Sequence, residues 1–168
     1  MKKLFIIALL ISGSVYSQGS IKVTFTQDAK LALMEDDHGN SPWTWNTTTK
    51  VQFQEYQKGI GFPVVGVKFE YADLDSGSYY RYGAEAGYTF QTFPVRDGFD
   101  DRPLISLTPL VGYGVGKRSF TNAFSSLEVS GEITLNVSKK LGIVSMHTYT
   151  QREGFWRYAH HVGLQYTF

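Results

Sequence analysis

At 168 residues the chain is the length of one domain, so a single hydrophobic system has to account for nearly all of it. It contains no cysteine, which excludes a disulfide scaffold, thiolate chemistry and a lipid-modified cysteine anchor. The formal net charge of +1 offers no basic surface for nucleic acid, and without Lys2 and Lys3 the 16 basic residues become 14 against 15 acidic ones.

The first segment differs from everything after it. Lys2 and Lys3 precede the apolar run Leu4 to Ile11, and small and polar residues lead to Val15-Tyr16-Ser17. This is the three-part pattern of a secretory signal peptide, with cleavage expected near Ser17 or Gln18. The run is far shorter than the roughly 20 residues a spanning helix needs. Residues 1–18 are therefore assigned to the signal and 19–168 to one mature domain.

From there the chain repeats one unit, a period-2 alternation bounded by Gly, Pro, Asp, Asn or Ser. In chain order the predicted strands are Ile21 to Met34, Thr48 to Tyr56, Phe62 to Ala72, Tyr79 to Phe93, Ile105 to Val115, Leu127 to Val137, Gly142 to Gln151 and Arg157 to Phe168. The fourth is the clearest: Tyr80, Tyr82, Ala84, Ala86, Tyr88 and Phe90 oppose Arg81, Gly83, Glu85, Gly87, Thr89 and Gln91. The seventh is the poorest, because Ile143 and Val144 compete for the apolar face. Pro63 and Pro103 fall at strand starts, where a missing donor is tolerated, whereas Pro109 falls inside a strand and signals a bulge or a misplaced boundary. No convincing helix emerges. Eight strands close a small antiparallel up-and-down barrel, and the even number returns both termini to one side.

Alternation fits a barrel with either face inward. A soluble, lipocalin-like barrel needs a water-facing side rich in Lys, Glu and Asp. Here the polar faces are mostly Gly, Ser, Thr, Ala and Gln with a few charges of both signs, which suits a narrow lumen of small side chains and paired ions. Lys68, Glu70, Arg81, Glu85, Glu128 and Glu132 are the expected members of that internal network. If the apolar faces turn outward, Tyr88, Phe90 and Phe93 at one end of their strand and Tyr79, Tyr80 and Tyr82 at the other supply two interfacial girdles.

The last strand alternates Tyr158, Val162, Leu164, Tyr166 and Phe168 to a terminal aromatic residue, with His160 as a polar interruption. This resembles the carboxy-terminal strand signature of bacterial outer-membrane barrels. Together with the signal and the strand number, the chain is similar to the family of small eight-stranded outer-membrane barrels of the OmpA/OmpX type. The resemblance implies a monomeric transmembrane β-barrel in the outer membrane, contacting lipid and lipopolysaccharide. It also implies recognition of the strand Tyr158 to Phe168 by the barrel assembly machinery, no cofactor, and no catalysis.

With both termini periplasmic, the outer loops are expected at Glu35 to Thr47, Asp73 to Ser78, Lys117 to Ser125 and Arg152 to Trp156. They gather Trp43, Trp45, Phe155 and Trp156 at one rim, either as an interfacial girdle or as anchors for a surface ligand. The connection from Phe93 to Pro103 is long for a periplasmic turn. Some small barrels of this type resemble lipid A deacylases, so Ser145, His147 and Glu153 form a conceivable hydrolase set. The deacylase run His-x-Ser-Asn is missing, however, and Ser precedes His. His160 and His161 alternate across their strand and cannot share a metal. The clusters Asp36, Asp37, His38 and Asp97, Asp100, Asp101 lack calcium-loop spacing and read as turns, so no metal is expected. The functions in contention are a non-enzymatic barrel displaying loops for envelope integrity, adhesion or recognition, a lipid A hydrolase, a narrow pore, and a secreted soluble lipocalin-like binding barrel.

Overall fold

The computed structural model describes residues 19–30, 46–55, 61–74, 77–94, 103–119, 122–152 and 155–168. They form eight strands, β1 (Gly19–Asp28), β2 (Asn46–Glu55), β3 (Gly61–Leu74), β4 (Gly77–Pro94), β5 (Pro103–Arg118), β6 (Phe124–Asn136), β7 (Leu141–Arg152) and β8 (Phe155–Thr167). Each pairs antiparallel with its sequence neighbour, and β8 closes on β1. The all-β, closed up-and-down barrel read from the alternation is the architecture observed.

The alternation is realised inside out. Lys50, Gln52, Lys68, Arg81, Glu85, Glu128, Glu132 and His161 are buried, while Val67, Val111, Tyr113 and Leu164 are each more than half exposed. A water-soluble barrel would do the reverse. An apolar wall of this extent is stable only against hydrocarbon, with every backbone group paired within the closed sheet. Tyr158 and Phe168 stand ten residues apart along this wall. At about 3.3 Å per residue and a strand tilt of about 40°, that is about 25 Å along the barrel axis, the height of an outer-membrane apolar band.

The inward face is not uniform. Where β3 and β7 leave the end that carries the termini, it is apolar, with Phe62 and Val64 on one strand and Val144 and Met146 on the other. The competition between Ile143 and Val144 resolves as Ile143 outward and Val144 inward. Charged side chains follow further along the lumen.

Several expected boundaries move. β1 stops at Asp28 and not at Met34, because the Asp28 carboxylate accepts a hydrogen bond from the Lys30 backbone N–H at 2.9 Å, a turn that ends the ladder. The strands also run further into all four expected outer loops: β2 starts at Asn46, β3 reaches Leu74, β4 starts at Gly77, β5 reaches Arg118, and β7 and β8 meet at Arg152 and Phe155. Phe155 and Trp156 are therefore strand residues, with Trp156 opposite Gln151.

Pro109 marks neither a bulge nor a boundary. It pairs with Gly131 on the β6 side, and on the β4 side the register is the same before and after it, from Gly87↔Leu110 to Phe90↔Leu107. The ladder to β4 simply lapses where proline has no N–H to give.

Closure depends on Gly163, opposite Thr26 at the β1–β8 seam. A Cβ there would sit 1.9 Å from the Phe25 carbonyl oxygen, so only glycine lets the two edge strands approach. The seam continues to the last residue, where the Phe168 N–H bonds the Ile21 carbonyl at 2.9 Å.

Candidate functional site: a braced lumen and a polar notch on the outer wall

All six expected network residues face the lumen, and the register brings them together in two groups. In the first, Arg81 of β4 and Lys68 of β3 both bond the Glu128 carboxylate of β6. Arg81 also donates from Nε to Ser126 Oγ at 2.6 Å and lies 3.5 Å from Glu70. In the second, Glu132 of β6 and Glu85 of β4 share a cation absent from the expected set, Lys50 of β2, whose ammonium lies 2.7 Å from Glu85 and is also paired with Glu132. Gln52 donates to Glu85 at 2.9 Å.

In a ring of eight strands β2 and β6 are diametrically opposed, so the Lys50–Glu132 pair is a strut across the barrel. Among the described residues the buried ions are Lys22, Lys50, Lys68 and Arg81 against Asp28, Glu70, Glu85, Glu128 and Glu132, close to neutrality. Such a set is tolerated only when its members are paired and hydrogen-bonded.

The aromatic rim is partly visible. Phe155 and Trp156 are exposed at the barrel end away from the termini. Trp43 and Trp45 lie outside the described residues, as do residues 1–18, Glu153 and the clusters Asp36, Asp37, His38 and Asp97, Asp100, Asp101. Tyr158, Val162, Leu164, Tyr166 and Phe168 form one outward row on β8 and beyond its end.

The outer wall carries one polar interruption among the described lipid-facing positions of β7 and β8, and it is larger than His160 alone. His147 and His160 face each other across the β7–β8 ladder, their rings stacked at 4.4 Å and 7°. Ser145 Oγ lies 2.9 Å from His160 Nε2 and 3.4 Å from His147 Nε2, and His147 Nδ1 lies 2.7 Å from the Tyr158 hydroxyl. The partner nearest to Ser145 is thus His160 and not the His147 of the sequence reading. Among the described residues no carboxylate bonds either imidazole, so the orienting acid of a Ser–His hydrolase is not part of this cluster. His161 points the other way, into the lumen. No described set of three or more His, Asp or Glu residues has metal-site geometry.

A closed barrel with hydrocarbon outside and braced ions inside defines a class, the small eight-stranded transmembrane β-barrel. Two solved structures of the Yersinia pestis outer-membrane protein Ail share this fold. The backbone structure in a phospholipid bilayer nanodisc is 15% identical with a TM-score of 0.57, over 89% of this chain and 98% of that one. The crystal structure of Ail, the attachment invasion locus protein, is 16% identical with a TM-score of 0.57, over 89% and 97%. No protein-family model matches the chain, and no curated protein matches it.

Proposed function

We propose that the chain is exported by a signal peptide spanning residues 1–18 and inserted in the outer membrane as a monomeric, non-enzymatic barrel. Its role is to hold surface loops for adhesion, recognition or envelope integrity. The observation that carries this reading is the reversal of burial: Arg81, Lys50 and Glu128 inside, Val67, Val111 and Leu164 outside. Lipid and lipopolysaccharide are its immediate surroundings, and the outward row from Tyr158 to Phe168 is the element offered to the barrel assembly machinery. Attachment, the property in the name of the solved neighbour, is the surface role placed first. The residues that would serve it are Trp43, Trp45, Phe155 and Trp156, since exposed aromatics are favoured contact anchors.

The test is fractionation of expressing cells combined with electrophoresis of unboiled and boiled samples. The expected result is recovery with the outer membrane and faster migration of the unboiled form. Recovery as a soluble periplasmic protein would overturn the reading.

A further inference from the structure

The polar notch on the outer wall has no part in bracing the barrel, and polar groups facing hydrocarbon are costly unless they find partners there. Its contacts run as one chain: the Tyr158 hydroxyl with His147 Nδ1 at 2.7 Å, His147 Nε2 with Ser145 Oγ at 3.4 Å, and Ser145 Oγ with His160 Nε2 at 2.9 Å. The two rings stack in parallel, at 4.4 Å and 7°, so neither imidazole takes the other as a hydrogen-bond partner. The four neutral groups bring four protons, one on each hydroxyl and one on each imidazole, to three links. Donated onward from the tyrosine, the chain ends with an N–H to spare on His160 Nδ1. Donated the other way, it ends with a lone pair on that atom and an unspent O–H on Tyr158. Among the described residues His160 Nδ1 has no partner. The group that completes it has to accept in one case and donate in the other. A hydroxyl does both, whereas an ester carbonyl only accepts.

The level on the wall indicates the source of such a hydroxyl. His160 is two residues from Tyr158, which packs against Tyr149 near the barrel end away from the termini. At about 3.3 Å per residue and a tilt of about 40°, the imidazole lies about 5 Å inside that aromatic pair. With the termini periplasmic this is the outer leaflet, so the site rests on the outer-membrane reading above. Glycerophospholipid chains are bare methylenes at that depth, whereas acyl chains of lipid A carry a hydroxyl a few bonds below the sugar. Beside His147 the wall is recessed: at Gly131, opposite it on β6, an added Cβ would meet nothing within 4 Å. That recess, between the exposed Val129 and Ile133, gives an acyl chain room to lie against the sheet.

We propose that the notch is a binding site for the hydroxylated acyl chain of an outer-leaflet saccharolipid of the lipid A type, its chain hydroxyl bonded to His160 Nδ1 and its methylenes laid on the apolar wall. The lipid is bound and not cleaved, because no described carboxylate orients either imidazole.

The experiment uses the protein inserted in phosphatidylcholine nanodiscs and two probes that differ only in the chain hydroxyl, N-(β-hydroxymyristoyl)glucosamine and N-myristoylglucosamine. The hydroxylated probe should bind about fivefold tighter, the worth of one net hydrogen bond. It should move the ring-nitrogen resonances of His160 saturably and leave those of His161 in place, a readout on the unaltered protein that does not depend on how any variant folds. His160→Phe keeps ring against ring and should remove the preference, whereas Tyr113→Phe, on the exposed face of β5, should keep it. Equal affinity for the two probes in the inserted protein overturns the site alone, as does a preference that survives His160→Phe. Failure to insert, read as absence of the fast-migrating unboiled form, overturns the barrel reading and the site with it.

Discussion

At the scale of single residues, Glu128 is the centre of the lumen. It accepts from both Arg81 and Lys68, and all three side chains are almost wholly withdrawn from solvent. Glu128→Gln keeps the shape and removes the charge, leaving two buried cations short of a partner. Breaking a buried ion pair from one side costs about 3–5 kcal/mol, more than the pair itself need contribute. The guanidinium unfolding midpoint in micelles should fall accordingly, whereas Lys117→Gln, on an exposed position, should shift it negligibly. The network residues on β3, β4 and β6 were legible in the sequence because each alternates with unmistakably apolar neighbours. Lys50 and Gln52 follow the same parity among Thr48, Val51 and Phe53, yet their importance is invisible there. What makes Lys50 a strut is the residue opposite it across the barrel, and that depends on closure.

At the scale of strands, the period-2 pattern was enough to place all eight elements, but it left the choice between Ile143 and Val144 open and put Tyr79, which is buried in the lumen, in an outward girdle. It misjudged their ends. Gly, Asp and Ser at 73–78 and 117–125 read as loops, but in a closed sheet each flanking residue can still pair with its neighbour, so tertiary pairing extends the strands past the local turn signals. Cross-strand register was likewise beyond reach, and with it the meeting of Ser145 and His160 and the tight seam at Gly163. The seam gives a sharp expectation. In Gly163→Ala the new methyl meets the Phe25 carbonyl, a backbone atom that no side-chain rotation can move, so the cost should exceed the usual 1–3 kcal/mol or so of overpacking. Gly131→Ala, with open space around it, should stay within about 0.5 kcal/mol. Comparing the fraction of each variant that migrates as the folded form in unboiled samples checks both. Equal folding of the two would show that β1 and β8 do not close as described.

At the scale of the whole molecule, the question is whether a barrel with a polar interior conducts. Eight strands leave an interior about wide enough for the side chains themselves, and this one is crossed by the Lys50–Glu132 strut and by Arg81 and Lys68 on Glu128. Toward the end with the termini, Phe62, Val64, Val144 and Met146 add apolar bulk. An ion entering from either side would have to part charged pairs that are already desolvated. Raising the salt concentration does not help it: screening at high salt acts over about 3 Å of solvent, and Lys50 and Glu132 are 0% and 1% exposed, so there is no solvent between them to carry the counterions. Planar-bilayer recordings of the reconstituted protein should therefore show no stepwise current at low or high salt. A unitary conductance that grows with salt would mean that the struts open in the membrane, and the lumen would then have to be treated as a pathway and not as a brace.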